Sequence, residues 1–335
     1  MKNSVFSLLT VGILSLSAQQ AFADCSTGTI SAILGPVSSF NIGSLSNLGT
    51  APMVGGGLSC PSGLTLVVKS YIKYLATNIP TELVHSDGVN KAQISIWDSE
   101  KQRVTSAEKD LSSIAITTLF SGPGGSVPFY VTVNDTRGLK PGVYRGRINI
   151  KWFYSVPYAG GLGITLRYES TGFELGSYLI GTYVKNWGTG DDSIINITLT
   201  VEEDCNINAQ NINFGTAPLV SKFNPVTGTV QITCSAQTPY TVGLSNGQNY
   251  SQNRRMKNLS SSHYLPYEIY KNTTTQRWGY LGAERWSSAN ASQNPGVYDG
   301  SVTQGYAYTA KIIDDGSNAS VEGTYKDNLI LEVAF

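Results

Sequence analysis

Few residues of this 335-residue chain are of types that could do chemistry, and their spacing decides against most of it. His85 and His263 are the two histidines. Neither is accompanied by a Ser-His-Asp arrangement or by further ligands at metal spacing. The adjacent carboxylates Glu202-Glu203 and Asp314-Asp315 fall in a junction and a turn, whereas a glycosidase needs two carboxylates placed across a cleft. Gly160-Gly161-Leu162-Gly163 lacks the Lys-Ser/Thr of a phosphate loop and the helix that follows one. The residues therefore argue for a protein that is not an enzyme and holds no cofactor or metal. The four cysteines carry the one covalent chemistry that the spacing supports. Cys25 and Cys60 are separated by 35 positions, Cys205 and Cys234 by 29. An even count at repeated spacing in an exported chain predicts the disulfides Cys25–Cys60 and Cys205–Cys234. Each would contribute about 3–4 kcal/mol in the chain-entropy picture. A Cys₄ metal site is disfavoured, because no C-x-x-C occurs and both histidines lie far away in sequence.

Export is read from the start of the chain. Lys2, the apolar run Val5 to Leu16 and Ala21-Phe22-Ala23 have the form of a signal peptide, residues 1–23, cleaved before Asp24. The run is too short for a membrane span. Without Lys2 the chain carries 22 basic against 23 acidic residues, a net charge near −1. That argues against nucleic acid or an anionic membrane surface as partner. About 310 residues then remain, enough for two domains.

The elements that must position these residues read as strands. Gly, Tyr, Thr, Ser and Asn are abundant and helical periodicity is scarce, which predicts an all-β protein. An internal repeat suggests two β-sandwich copies, residues 24–203 and 204–335, with a tight joint at Glu202-Glu203-Asp204. In the repeat, Ser38 to Gly43 (SSFNIG) parallels Gln210 to Gly215 (QNINFG), and Pro141 to Trp152 parallels Gly323 to Phe335. A strand rich in β-formers follows each second cysteine, at 64–68 and 240–244. Further strands are expected in the first copy at 93–97, 113–120, 129–134, 143–153, 164–168, 178–184 and 194–201. In the second they are expected at 239–244, 264–270, 305–313 and 324–335.

The last of these has a consequence. Leu329, Leu331, Val333 and Phe335 alternate with Asn328, Ile330, Glu332 and Ala334, so the first four share one face. The equivalent strand of the first copy is followed by another, Ser193 to Asp204. The second copy offers none. Four uncovered apolar side chains forfeit about 1.5–3 kcal/mol each, comparable together with the whole stability of a domain, about 5–15 kcal/mol.

The second half resembles the spore coat protein U domain family of archaic chaperone–usher pilins. The resemblance rests on Cys205, Asn213-Phe214-Gly215, Gly228-Thr229-Val230 through Cys234, Tyr240 to Gly247, Arg254-Arg255-Met256, Leu265 to Tyr270, Trp278-Gly279 and Gly323 to Asp327. The two-domain layout resembles a Csu-type tip adhesin. The resemblance implies immunoglobulin-like sandwiches, the C-terminal one lacking its last strand and completed by donor strand complementation. A periplasmic chaperone would lend a strand, and an adjacent pilin subunit would replace it at the outer-membrane usher. The acceptor groove would be lined by Ile212, Phe214, Leu329, Leu331, Val333 and Phe335, with the chaperone engaging the carboxylate of Phe335. Only Asp24 separates the predicted cleavage site from Cys25, so the mature chain is expected to have no segment to donate, which would put it at a fibre tip.

Three apolar stretches flanked by Gly or Pro then become candidate surface-binding loops, since exposed apolar clusters mark interaction sites. They are Pro52, Met53 and Val54; Pro123, Val127 and Pro128; and Val156, Pro157, Tyr158, Ala159 and Leu162. They would attach the fibre to abiotic or host surfaces in biofilm formation. In the competing structural reading, Met53, Val127 and Leu162 tuck into the sandwich ends. A lectin-type tip would instead use Trp152, Tyr154, Tyr168 and Trp187 with Asp191 and Asp192. A third possibility is a minor fibre or coat subunit with no adhesive role.

Overall fold

The computed structural model describes residues 24–60, 68–113, 119–135, 138–161, 164–178, 181–314, 316 and 321–335. The signal segment 1–23, the expected strand at 64–67, most of that at 113–120, Leu162 and Asp315 lie outside the described residues.

The chain is all-β. Its first part runs through β1 (Ser26–Thr27), β2 (Thr29–Ser38), β3 (Met53–Ser59), β4 (Tyr71–Asn78), β5 (Glu82–His85), β6 (Lys91–Trp97), β7 (Lys109–Asp110), β8 (Ser126–Val133), β9 (Gly142–Gly161), β10 (Ile164–Glu169), β11 (Glu174–Ser177), β12 (Thr182–Asn186) and β13 (Asp191–Glu202). The second part continues with β14 (Cys205–Asn208), β15 (Val226–Cys234), β16 (Thr241–Leu244), β17 (Arg254–Asn258), β18 (Tyr264–Lys271), β19 (Trp286–Ser287), β20 (Gln304–Ile312), β21 (Tyr325–Lys326) and β22 (Leu331–Ala334).

In the first part the strands follow the order β1-β3-β8-β6-β5-β9-β13-β2, with β10 and β4 also on β9, and β7 on β4. β1 and β2 are consecutive, so the order returns on itself and encloses one core. Trp152, Tyr74 and Phe129 fill its middle with ring centroids 5.4–6.1 Å apart. Trp152 Nε1 donates to the Gly56 carbonyl at 3.0 Å and to Ser193 Oγ at 3.1 Å, so the buried indole leaves no unpaired polar atom. The second part packs a six-stranded sheet, β14-β15-β20-β18-β17-β21, on a three-stranded one, β19-β16-β22. Trp278, Trp286 and Tyr306 form its core. Both disulfides join the first strand of a part to its neighbour: Cys25–Cys60 beside β1 and β3, Cys205–Cys234 between β14 and β15.

Three expectations change. Of the strand expected at 178–184, Thr182 to Val184 lie in β12 and pair with β11, Tyr178 and Gly181 (φ +95°) belong to no strand, and residues 179 and 180 lie outside the described residues. The strand expected at 324–335 is two short pieces on different sheets, β21 on β17 and β22 on β16. Asp327 makes the break by accepting from Tyr267 Oη at 2.8 Å and from the Gln248 amide at 3.0 Å. The hexapeptides SSFNIG and QNINFG are not equivalent in space: Ser38 ends β2, whereas Gln210 to Gly215 belong to no strand.

The two parts meet in a polar joint. Ser39 Oγ and Ser235 Oγ lie 2.6 Å apart and buried, and Ser235 Oγ accepts from the Asp204 amide at 2.8 Å. The Asn90 and Gln237 amides exchange hydrogen bonds of 2.8 and 3.1 Å.

Candidate functional site: an open strand groove

β22 pairs antiparallel with β16, Leu331 opposite Leu244 and Val333 opposite Val242. Its alternation puts Leu329, Leu331 and Val333 half-buried against the second core, and Ile330 and Glu332 in solvent. Phe335 is 50% exposed and lies edge-to-face with Tyr240, ring centroids 6.4 Å apart. On the far side of β22 no strand follows among the described residues. Across the gap lies the stretch Ala209 to Phe214. Its Ile212 and Phe214 side chains reach the same core, Phe214 standing 5.9 Å from the Tyr267 ring. Among the described residues, Gln210 to Phe214 make no backbone–backbone hydrogen bond. Between these two borders is a cavity of about 500 Å³ whose walls include Ile212, Phe214, Leu329 and Leu331, over Met256 and Tyr267. The expected groove residues thus converge, Val333 and Phe335 standing at its end rather than lining the cavity.

A buried ion network braces the site. Arg254, fully buried on β17, pairs with Glu268 on β18. It also donates to the carbonyls of Leu244 (2.7 Å), Ser245 (2.7 Å) and Trp278 (2.8 Å). Arg277 reaches the other Glu268 oxygen at 2.8 Å. Burial presses the Arg254 guanidinium downward in pKa, and the Glu268 charge opposes it. One side chain of the large sheet thereby fixes the end of β16, the strand that carries β22. Burial and the hydrogen bond to Asp327 push the Tyr267 phenol well above the tyrosine range, so it stays a neutral donor.

The first part shows what such a gap looks like when filled. There β13 lies antiparallel to β9 and parallel to β2, with Ile195 opposite both Ile148 and Ile30. Ser193, Ile195, Ile197, Leu199 and Val201 point inward. β2 follows β1, beside Cys25–Cys60, as Ala209 to Phe214 follows β14, beside Cys205–Cys234.

Residues 191–332 match the Spore Coat Protein U domain. The chain is similar to a subunit in the crystal structure of the CsuC–CsuE chaperone–tip adhesion subunit pre-assembly complex from archaic chaperone–usher Csu pili of Acinetobacter baumannii. Identity is 37%, covering 93% of this chain and 100% of that one, at a TM-score of 0.68. The chain belongs to this family of archaic chaperone–usher pilus subunits. The CooA pilin subunit from enterotoxigenic Escherichia coli is far more distant, at 9% identity over 52% of this chain and 91% of that one, with a TM-score of 0.27 that carries no argument. Among curated proteins none matches significantly.

The pilus subunit's three apolar stretches fare differently. Pro52 to Val54 is not a projecting loop, because Met53 opens β3. Val54 is buried opposite Phe129, Pro52 is half-buried, and Met53 is 43% exposed. The glycines that follow allow this close packing, since a Cβ on Gly56 would stand 2.7 Å from the Phe129 ring. In the second stretch Pro123 is exposed at the start of a single 3₁₀ turn, but Val127 and Pro128 are buried in β8. The third stretch forms the β9–β10 hairpin. Val156 and Pro157 are buried near its base, Ala159 is half-buried, and Tyr158 stacks on Tyr168 at 4.1 Å. Leu166 on β10 is 49% exposed.

The β11–β12 hairpin, missed in the sequence, carries the most open aromatic pair, Tyr178 (66% exposed) and Tyr183 (39%), 4.5 Å apart. Two tyrosines flanking Leu-Ile-Gly-Thr were the available signal. Tyr71 links the two hairpins, its hydroxyl donating to the Thr182 carbonyl at 2.7 Å and its ring lying under Arg167. β13 starts opposite Trp152, and β9 runs on past it to this end. The Pro123 turn is also here, since Gly125 accepts from the Cys60 amide. Met53 pairs with Tyr130 further down.

The sugar platform loses its members. Trp152 and Tyr154 are buried in the core. Trp187 is edge-on to Phe173 and covered by the Lys73 ammonium at 4.7 Å. Asp191 accepts from Thr171 Oγ1 at 2.6 Å, and Asp192 pairs with Lys151. His85 is buried against Tyr144, between Asp87 and the Pro141 carbonyl. His263 is exposed.

Proposed function

We propose that this pilus subunit is a tip adhesin, anchored by strand acceptance in its second part and attaching through the hairpin end of its first. The observation that carries the reading is the empty lane between β22 and Ala209 to Phe214, whose counterpart in the first part holds β13. A strand entering there pairs its backbone with two open borders and sets alternate side chains into the cavity. A periplasmic chaperone supplies that strand first and an adjacent pilin subunit supplies it at the usher. The similar Csu subunit is one of a chaperone–tip adhesion subunit complex, which supports the chaperone partner and the tip position. The adhesive surface is the β9–β10 and β11–β12 hairpins with Pro123. It offers Tyr178, Tyr183 and Leu166 to apolar abiotic or host surfaces, and supports biofilm formation.

The test is attachment of piliated cells to a hydrophobic polymer. Tyr178→Ser combined with Tyr183→Ser and Leu166→Ser is expected to lower attachment at least several-fold while fibres are assembled at the wild-type level. Unchanged attachment on normally piliated cells would sink the adhesive half of the reading. Soluble subunit recovered equally well with and without the chaperone would sink the other half.

A further inference from the structure

We infer that the second part carries a ligand site separate from the strand groove: a cavity on the β19 side of β16 that takes a small hydroxylated carboxylate, of the sugar-acid class, with Lys271 holding the carboxylate. β16 has β22 on one side and β19 on the other. The cavity is bounded by Thr241 of β16 and by Trp286 and Ser287 of β19, so it lies across the small sheet from the groove and does not depend on what fills the groove.

The cavity holds about 360 Å³, and none of the described residues that line it is acidic. Its deepest group is Lys271, the last residue of β18, which is 6% exposed. The ammonium donates to the carbonyls of Ala283 at 3.0 Å and Arg285 at 2.8 Å, and stands 6.0 Å from the centre of the Trp286 ring. An ammonium has three protons to give, so one is left over. Among the described residues no carboxylate pairs with it. Glu284, the acid whose charge reaches it, is taken by Arg277 at 2.6 Å. Burial presses the Lys271 ammonium below the usual lysine range. A buried charge without a counter-ion is costly, and an anion in the cavity relieves that cost. Arg285 is already occupied, by Thr241 Oγ1 at 2.8 Å and Glu332 at 2.9 Å. Lys271 is therefore the group left for the anion.

The rim is made of groups that recognise hydroxyls. The Lys271 amide donates to the Gln276 carbonyl at 2.8 Å, which closes the turn and brings Gln276 to the cavity. Trp286 Nε1 donates to the Asn290 carbonyl at 2.9 Å and fixes the 3₁₀ turn Ser288–Asn290 at the same rim. Among the described residues the side-chain amides of Gln276 and Asn290 make no hydrogen bond. Ser287 Oγ accepts from the Ala289 amide at 3.3 Å and keeps its own proton to donate. An amide gives and accepts at once, as a sugar hydroxyl does. The volume also selects the ligand. Small-molecule pockets begin at about 300 Å³, so a lone Asp or Glu side chain from a partner protein would leave most of this cavity empty, whereas a pyranose ring bearing a carboxylate occupies it and reaches the rim.

The experiment titrates the full chain, purified with its chaperone, with glucuronate, glucose and acetate, and follows binding by ligand-observed NMR with the chaperone alone as blank. Glucuronate is expected to saturate with a Kd of about 1 mM or tighter. Glucose, which lacks the carboxylate, and acetate, which lacks the hydroxyls, are each expected to bind at least about tenfold more weakly. Lys271→Met keeps an unbranched stem in place and removes the charge, and should bring glucuronate down to the level of glucose. If Lys271→Met does not fold, Gln276→Ala combined with Asn290→Ala, both exposed positions, decides: it should weaken glucuronate by about fivefold or more and leave acetate unchanged. Acetate binding as tightly as glucuronate would overturn the inference in favour of a bare anion site, of the kind that docks a partner's acidic side chain. Glucose binding as tightly as glucuronate, or no saturable binding of glucuronate, would also overturn it. Glucuronate affinity unchanged in the variants would place any binding elsewhere and overturn it equally.

Discussion

Arg254 on β17 donates to the carbonyl of Leu244 at the end of β16, 2.7 Å away, and so ties the large sheet of the second part to the small one. β16 has the short β19 on one side and β22 on the other, and β22 borders an open gap. The small sheet is therefore poorly held by its own ladder, and a buried guanidinium takes over part of that work.

Arg254→Ala would leave the Glu268 carboxylate without its closest partner and the carbonyls of Leu244, Ser245 and Trp278 without a donor, all away from water. Breaking a buried pair by removing one member is expected to destabilise by about 3–5 kcal/mol. Lower yield of chaperone-bound subunit and a lower melting midpoint for the second part should report it. A variant that melts like the wild type would show that solvent reaches these groups.

Burial separates two kinds of apolar residue that look alike in the sequence. Val127 lies fully buried in β8, whereas Tyr178 stands in solvent. Val127→Asn sets an amide into a packed core without a partner and should destabilise the first part by about 2–4 kcal/mol. Tyr178→Ser should change its stability by less than about 0.5 kcal/mol. Attachment lost with Val127→Asn would then track loss of folded subunit, while attachment lost with Tyr178→Ser would not. Comparing attachment with thermal midpoints for both variants checks this.

Gly56→Ala tests why the first apolar stretch is a strand. The added Cβ would meet Phe129 at 2.7 Å and the Val127 carbonyl at 2.8 Å. Overpacking of this kind is expected to destabilise by about 1–3 kcal/mol, read as a fall in the denaturant midpoint at unchanged slope.

Much of the fold was legible because period-two alternation survives wherever one face is buried, as in β9, β13 and the run Leu329 to Val333. Cysteine spacing located the paired first strands for a similar reason: a covalent bond requires them to be neighbours. The groove was legible in the same alternation, since half-buried Leu329, Leu331 and Val333 need a cover that the topology withholds. The hairpin end of the first part was less so. Gly55 to Gly57 reads as a loop, because glycine signals turns, but here it serves close packing between sheets and the approach of Trp152 Nε1 to the Gly56 carbonyl. Trp152 and Tyr154 read as candidates for sugar stacking, because type alone does not tell a core aromatic from a surface one. The break at Asp327 depends on Tyr267 and Gln248, which lie distant in sequence.

The buried tyrosines predict behaviour in alkali. Burial, with the nearby Asp87 and Asp135 charges, pushes Tyr144 up to about 12. Desolvation drives Tyr74, Tyr154, Tyr267 and Tyr306 higher still. A raised native pKa means that the folded state holds its proton where the unfolded chain, at about 10, has lost it. The stability each phenol contributes is complete below about pH 10 and is lost as pH rises through the native value. The buried set should therefore titrate together with unfolding, so that the rise in tyrosinate absorbance coincides with loss of the fold. Tyr144→Phe should flatten the stability curve between about pH 10 and 12 by one proton's worth of slope. At neutral pH it should lower stability modestly through the lost 2.7 Å bond to the Lys140 carbonyl.

The joint between the two parts should be stiff for a specific reason. Asp204 precedes Cys205 and Ser235 follows Cys234, so the Cys205–Cys234 disulfide holds together the two residues that meet Ser38 and Ser39 of the first part. Ser235→Ala would strip the Asp204 amide of its side-chain acceptor and leave the Ser39 hydroxyl unpaired in a buried position, a loss of about 1–3 kcal/mol. Asn90→Ala, which removes exposed hydrogen bonds to Gln237 and to Asp87, should cost less than about 1 kcal/mol. If the joint sets the angle between the parts, small-angle scattering should show a broader distribution of maximum dimensions for Ser235→Ala than for the wild type, with Asn90→Ala close to the wild type. Identical profiles for all three would place the stiffness in the direct β13–β14 connection rather than in these side chains.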